Sequence, residues 1–375
     1  MRGIGENAGR FAGPVITAFW FSLLFLPFGG FRGAAVLFVI LAASIPCLTA
    51  ASNLLKKMWP SMEGVARYTP GSSRYLLILL VPLLVLPLAV GDYWLDIAVL
   101  SGIYVILALG LNVVVGYTGL LNLGFAAFYA IGAYSYALLN TKLGIGFWPA
   151  LPLSVGITTV AGFLLAFPAL RLKGDYLAIV TLGFGEIVRL VLNNWDSLTK
   201  GPNGISGIDA PSLFGAGLED LSSYYYLVLA FVALTVFVMR RVEDSKIGRA
   251  WIAIREDEIA SSAMGINTMM YKLYAFAFGA FWAGIAGCLF AAKMRFVSPE
   301  SFTFMESVLV LCMVIIGGIG SITGVIVGAV VLVFLPELLR EAQMYRMLAV
   351  GSGLVFLMVF RPQGLFGRKN VSLGS

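Results

Sequence analysis

Histidine is absent from all 375 residues. That removes imidazole metal sites, histidine general bases and histidine proton relays together. The three cysteines, Cys47, Cys288 and Cys312, stand alone in apolar segments, without the spacing of a metal site or a disulfide framework. Charge is scarce as well, at 12% of the residues. No Gly-x-x-x-x-Gly-Lys-Ser/Thr phosphate loop occurs, so the chain does not hydrolyse nucleotide through a P-loop of its own. Neither a Gly-x-Ser-x-Gly elbow nor a His-Glu-x-x-His helix is present, and no catalytic residues are expected. The net charge of +6 is not gathered into a basic stripe with interleaved aromatics, so no nucleic-acid partner is expected.

What is abundant is apolar. Hydrophobic residues make up 60% of the chain. They fall in repeated runs near the 17–25 residues that a helix needs to cross a bilayer. The ~10-residue alternation of a transmembrane barrel is missing. The expected fold class is therefore all-α: a polytopic membrane protein, a bundle of roughly 10–12 transmembrane helices. Candidate spans fall at about 14–29, 33–52, 75–91, 94–115, 118–140, 148–170, 176–194, 224–240, 271–292, 304–318, 322–336 and 346–360. Arg2 and Arg10 precede the first apolar run, which Pro27 interrupts, and the run is read as an uncleaved span. With both termini in the cytoplasm, roughly 17 Lys/Arg lie inside and roughly 7 outside, as the positive-inside rule requires.

That topology places one stretch, Arg240–Lys272, in the cytoplasm. It carries six cationic and five acidic side chains between two apolar runs. Burying one such charge in hydrocarbon costs about 2.5–3.5 kcal/mol, so the stretch belongs in water. Its centre, from Gly248 to Met264, lacks proline and is rich in helix formers, which predicts one short amphipathic helix ending at Gly265. Trp251 and Ile259 are the large apolar side chains expected to fill a partner's groove, with Arg255 and Glu258 fixing register at its rim. An ordinary solvated loop is the plainer alternative.

Two glycine-dense segments depart from ordinary spans. The first, Gly116–Tyr134, includes Gly116, Gly119 and Gly124 around the polar Asn122; the second includes Gly317, Gly318 and Gly320. Such points let helices pack closely, or let one unwind where it lines a cavity, and these residues are the candidate translocation path. Glu186 and Arg189, three apart within a span, share a helix face and can pair, either for function or merely for structure. Glu186 is counted as the one intramembrane acid, so ion coupling has little support. The polar loop Trp195–Ser223, with its turn Gly201-Pro202-Asn203-Gly204, is expected on the outer side, where it helps receive a binding protein.

As a set, GYTGLLNLGFAAFYAIGAY, RLKGDYLAIVTLGFGEIVR, TKGPNGISGI, GRAWIAIREDEIASSAMGIN and RPQGLFG resemble the LivM-type permeases of branched-chain amino-acid ABC importers. The likeness covers about Asp92–Gly367. It implies a permease domain at 92–367, preceded by additional spans and a cytoplasmic loop at 1–91 and followed by a cytoplasmic tail at 368–375. It also implies a bacterial inner-membrane importer. The partners would be a LivH-like sister permease, two ATP-binding subunits and a periplasmic substrate-binding protein. The chain would hold no cofactor, because its partners bind the ATP. Gly248–Gly265 would be the segment received by an ATPase. Many ABC permeases carry Glu-Ala-Ala-x-x-x-Gly there, whereas Ile259-Ala260-Ser261 before Gly265 keeps only the alanine and glycine. Urea or short-chain amide permeases share nearly the same motifs, and an ion-coupled secondary transporter or a membrane scaffold are readings of another kind.

Overall fold

The computed structural model describes residues 91–338 except 171, 173, 214–215 and 218–219, together with positions 84, 86, 87, 351 and 364. The chain divides into two compact units, Met1–Leu76 and Leu77–Ser375, and every described residue belongs to the second. The expected spans at 14–29 and 33–52, nearly all of those at 75–91 and 346–360, and the tail 368–375 lie outside the described residues.

Helix α1, Asp92–Asn112, runs on into a π-helical turn at Val113–Tyr117. Helices α2, Phe125–Leu143, α3, Phe147–Ala169, and α4, Asp175–Asn194, follow. The next loop holds a helical turn at Asp196–Thr199, a 3-10 turn at Gly201–Asn203, strand β1, Ile205–Ser206, and a hairpin of β2, Ser212–Leu213, with β3, Ala216–Gly217. Helix α5 spans Leu221–Glu243, and the short α6, Lys246–Glu256, and α7, Glu258–Ala263, come next. The long α8, Thr268–Met294, leads to β4, Phe296–Val297, and a 3-10 turn at Pro299–Phe302. Helices α9, Phe304–Gly317, and α10, Ile322–Leu338, complete the series. Strand β4 pairs antiparallel with β1, Ile205 opposite Val297, so the loop between α4 and α5 is stitched to the end of α8.

Seven apolar runs of the sequence coincide with helices in this series. The eighth, 118–140, does not: helix begins only at Phe125, and Thr118–Gly124 is unwound. The cause is local. Gly119 sits at φ +70°, where a side chain is disfavoured, and Gly124 takes a non-helical conformation at the start of α2. Five helical segments among the described residues are long and apolar enough to cross a membrane: Asp92–Tyr117, Phe147–Ala169, Leu221–Glu243, Thr268–Met294 and Pro299–Gly317.

Helix α8 packs against α1, α2 and α3. In a bilayer, lipid tails are as apolar as leucine, so helices associate by close packing more than by hydrophobic transfer. The sequence supplies small residues where the backbones meet. A methyl group on Gly132 of α2 would stand 2.7 Å from the Gly284 Cα of α8, and one on Gly279 would stand 3.1 Å from the Gly110 carbonyl of α1. Around these contacts Tyr129, Phe276 and Trp282 are wholly buried.

Candidate functional site

The unwound segment is partly buried, with Gly119 exposed and Asn122 and Gly124 buried, and the backbone donors at its end and in the first turn of α2 need partners that a continuous helix would have provided. Side chains from two other helices supply them. The Leu123 amide donates to Thr181 Oγ1 on α4 at 3.1 Å, and the Ala126 amide donates to Ser307 Oγ on α9 at 2.9 Å. The Gly124 amide turns back to Asn122 Oδ1 at 3.0 Å. Thr181, Ser307 and Asn122 are all buried, and the Asn122 amide nitrogen has no hydrogen-bond partner. Beside Ser307, the Glu306 carboxylate accepts from Tyr104 of α1 at 2.8 Å. A small cleft opens between the start of α2, α4 and the start of α9, lined in part by Leu123, Ala126, Glu186, Thr303 and Ser307.

The glycines proposed from sequence as one path fall into separate places. Gly124 is a helix-crossing contact: a Cβ there would overlap the Thr181 carbonyl, and Gly185 of α4 lies against it. Gly317 packs on Gly324 across the α9–α10 turn, and Gly318 is the non-helical cap of α9. Gly116, Gly119 and Gly320 meet elsewhere, around Arg255. The Gly116 carbonyl, near the end of the π-helical turn, accepts from Arg255 Nη1 at 2.6 Å. Asn112 Oδ1 accepts from the Gly320 amide at 2.9 Å, joining α1 to the α9–α10 turn.

The charged stretch differs from the single helix expected. It breaks at Asp257, which is extended and caps α7 by accepting from the Ile259 and Ala260 amides. Such a cap outcompetes continuation of the helix because it satisfies two orphan donors at once. Helix α6 starts before Gly248, with Ser245 as its cap, and Gly265, at φ +86°, follows α7 in a left-handed conformation. Trp251 is buried and donates to the Tyr271 carbonyl at 2.7 Å, so it fills a groove of its own chain. Arg255 is exposed, and its Nη1 bonds the Gly116 carbonyl of its own chain. Glu258 pairs with the buried Lys272 at 2.6 Å. Ile259 points outward, 78% exposed, as does Met264 at 84%.

On the loop between α4 and α5, Gly201 and Gly204 are buried, whereas Pro202 and Asn203 are exposed. Gly204 packs against Phe296 and Val297 of β4. Arg189 pairs with Glu186 at 2.9 Å and approaches Glu300 at 3.8 Å, so the two predicted charges do meet, beside a third from the turn before α9. Sequence reasoning overlooked Asn112, Thr181, Lys272, Glu306 and Ser307. Glu306 stood inside a candidate span, so counting Glu186 alone was wrong. Asn112 interrupts an apolar run as Asn122 does. Lys272 was masked by its place in a charged stretch, and single hydroxyls such as Thr181 and Ser307 carry no pattern.

A bundle of apolar helices, with a partly buried unwound segment braced by side-chain hydroxyls and a charged helix pair between two spans, defines an all-α polytopic membrane protein. The chain belongs to the family described as "Branched-chain amino acid transport system / permease component", which matches residues 93–360. It is 49% identical over 333 residues to the high-affinity branched-chain amino acid transport system permease protein LivM of Salmonella typhimurium, covering 83% of this chain and 78% of that protein. The LivM protein of Escherichia coli K12 is 48% identical over the same shares. The LivH permease protein of Escherichia coli K12 is 27% identical over 297 residues, 72% of this chain and 94% of LivH. No solved structure matches the chain.

Proposed function

We propose that the chain is the permease subunit of a binding-protein-dependent ABC importer and forms half of a translocation path for branched-chain amino acids. The reading rests on membership of the permease family and on near-half identity to two bacterial LivM proteins. Its partners are a LivH-like sister permease, two ATP-binding subunits and a periplasmic binding protein, in the inner membrane of a bacterium with both termini cytoplasmic. The chain has no nucleotide site of its own, a reading supported by the lack of a phosphate loop. The translocation path runs past Asn122 and the cleft that Glu186 and Ser307 help line, where polar groups meet an otherwise apolar bundle. Charged side chains in such a bundle cost several kcal/mol unless they are paired or hydrated, which is why Glu186 keeps Arg189 beside it.

Ile259 carries the proposed role of the α6–α7 pair. A large apolar side chain so exposed on a segment outside the apolar spans suits a partner's groove. The test is uptake by the purified complex, reconstituted with its ATPase and binding-protein partners and offered leucine, isoleucine, valine or urea. ATP-dependent uptake of the branched-chain amino acids is expected. Uptake of urea alone, or uptake driven by an ion gradient without the ATPase, would overturn the reading.

A further inference from the structure

Arg255 joins two sets of residues that lie far apart in the sequence. Its Nη1 donates to the Gly116 carbonyl, 139 positions away. That carbonyl belongs to the last turn of the α1 segment, where intrahelical donors run out and a cation is favoured. The aliphatic stem crosses Gly119, where an added Cβ would come within 3.1 Å of Arg255 Cγ. A Cβ on Gly320 would come within 3.1 Å of Arg255 Nη1. Gly119 and Gly320 both hold positive φ, +70° and +82°, so the floor under the guanidinium is built from residues that only glycine supplies without strain. Asn112 closes the junction from the other side through the Gly320 amide.

Among the described residues, the remaining side-chain hydrogen bonds of the helix pair stay close in sequence. Trp251 and Glu258 bind the start of α8, and Arg249 donates to the Asp244 carbonyl. Arg255 instead reaches the start of the unwound segment and the turn between α9 and α10.

We propose that Arg255 is a positioning residue for transport, transmitting displacement of the α6–α7 pair to the unwound segment and to the α9–α10 turn at once. The proposal rests on the reading of this chain as a permease driven by separate ATPase subunits. A guanidinium suits the task because its planar fork reaches a carbonyl at the end of a long stem. One side chain then lets a push on a short surface helix act on both glycine turns. No change in the spans themselves is needed to carry it.

The experiment compares wild type, Arg255→Gln, Arg255→Lys, Asn112→Ala and the double variant Arg255→Gln with Asn112→Ala. All are studied in the full complex with its ATPase and binding-protein partners. The readouts are subunit co-purification, ATP hydrolysis and leucine taken up per ATP hydrolysed. Arg255→Gln is expected to co-purify and hydrolyse ATP while uptake per ATP falls on the order of tenfold. Arg255→Lys, which keeps a cationic donor, is expected to recover part of that loss. Because Asn112 and Arg255 act on one junction, the double variant should fall short of the product of the two single losses. Unchanged uptake per ATP in Arg255→Gln, or multiplicative losses in the double variant, would overturn the proposal. Loss of assembly in both the Gln and Lys variants would overturn it too, leaving Arg255 a folding residue. A wild-type complex that takes up no branched-chain amino acid would instead bring down the functional reading on which it rests.

Discussion

The Lys272 ammonium lies 2.6 Å from the Glu258 carboxylate, and the two ends of that pair are unequally exposed: Lys272 is buried, and Glu258 is 37% exposed. Removing the two partners is therefore not equivalent. Glu258→Gln leaves a buried cation without its counter-charge, whereas Lys272→Met leaves a carboxylate that water can reach. Glu258→Gln is expected to lower stability by about 1–2 kcal/mol, and Lys272→Met by less. Thermal unfolding of the two variants in the same detergent orders them. A larger loss for Lys272→Met would contradict the burial argument.

Ile259 and Trp251 carry opposite expectations, although both are apolar residues of the same stretch. Ile259→Asp should release the ATPase subunits during co-purification while the permease keeps its melting temperature, because the side chain touches little of its own chain. Trp251→Asp places a charge in a buried site and leaves the Tyr271 carbonyl without its donor. It should destabilise the permease itself, by on the order of 3–5 kcal/mol. Equal melting temperatures for the two variants would show that Trp251 is not packed as described.

Gly124 should tolerate no side chain. A Cβ would overlap the Thr181 carbonyl, which is helix backbone and cannot swing away as a flexible side chain would. Gly124→Ala, and more so Gly124→Leu, is expected to cut the yield of folded permease, measured by size exclusion and thermal unfolding. A Gly124→Leu protein that assembles normally and merely stops transporting would restore the pore-lining reading expected from sequence.

Ser206 of β1 is exposed, on the strand that pairs with β4. The proposed topology puts this loop in the periplasm, so Ser206→Cys should react with a membrane-impermeant thiol reagent in intact spheroplasts. Reaction only after the membrane is opened would invert the topology.

Helix positions were legible in the sequence because the apolar runs are long and interrupted by charge or glycine. Seven of them match helices, among them 148–170 against Phe147–Ala169 and 176–194 against Asp175–Asn194. The glycines of 116–124 marked the unwound segment, yet hydropathy alone drew a continuous span through it. Contacts were less legible. Nothing local distinguishes Trp251 facing inward from Trp251 facing a partner, since the choice depends on where Tyr271 lies after the chain has turned. The break at Asp257 was readable in hindsight, because an aspartate three residues before Ala260 is an ordinary helix cap. The glycine–arginine junction depends on residues 139 positions apart and left no trace in spacing.

Helix α8 begins just after the charged pair and ends at the strand that holds the loop between α4 and α5. Its 27 residues make a single rod of about 40 Å. A rod fastened at both ends does not know which end is the input. Any occupant that binds the loop more tightly in one arrangement of the charged pair must, by reciprocity, bias that pair by the same free energy. The arrival of cargo outside and the state of the nucleotide inside would thus be two readings of one equilibrium, with neither needing to come first.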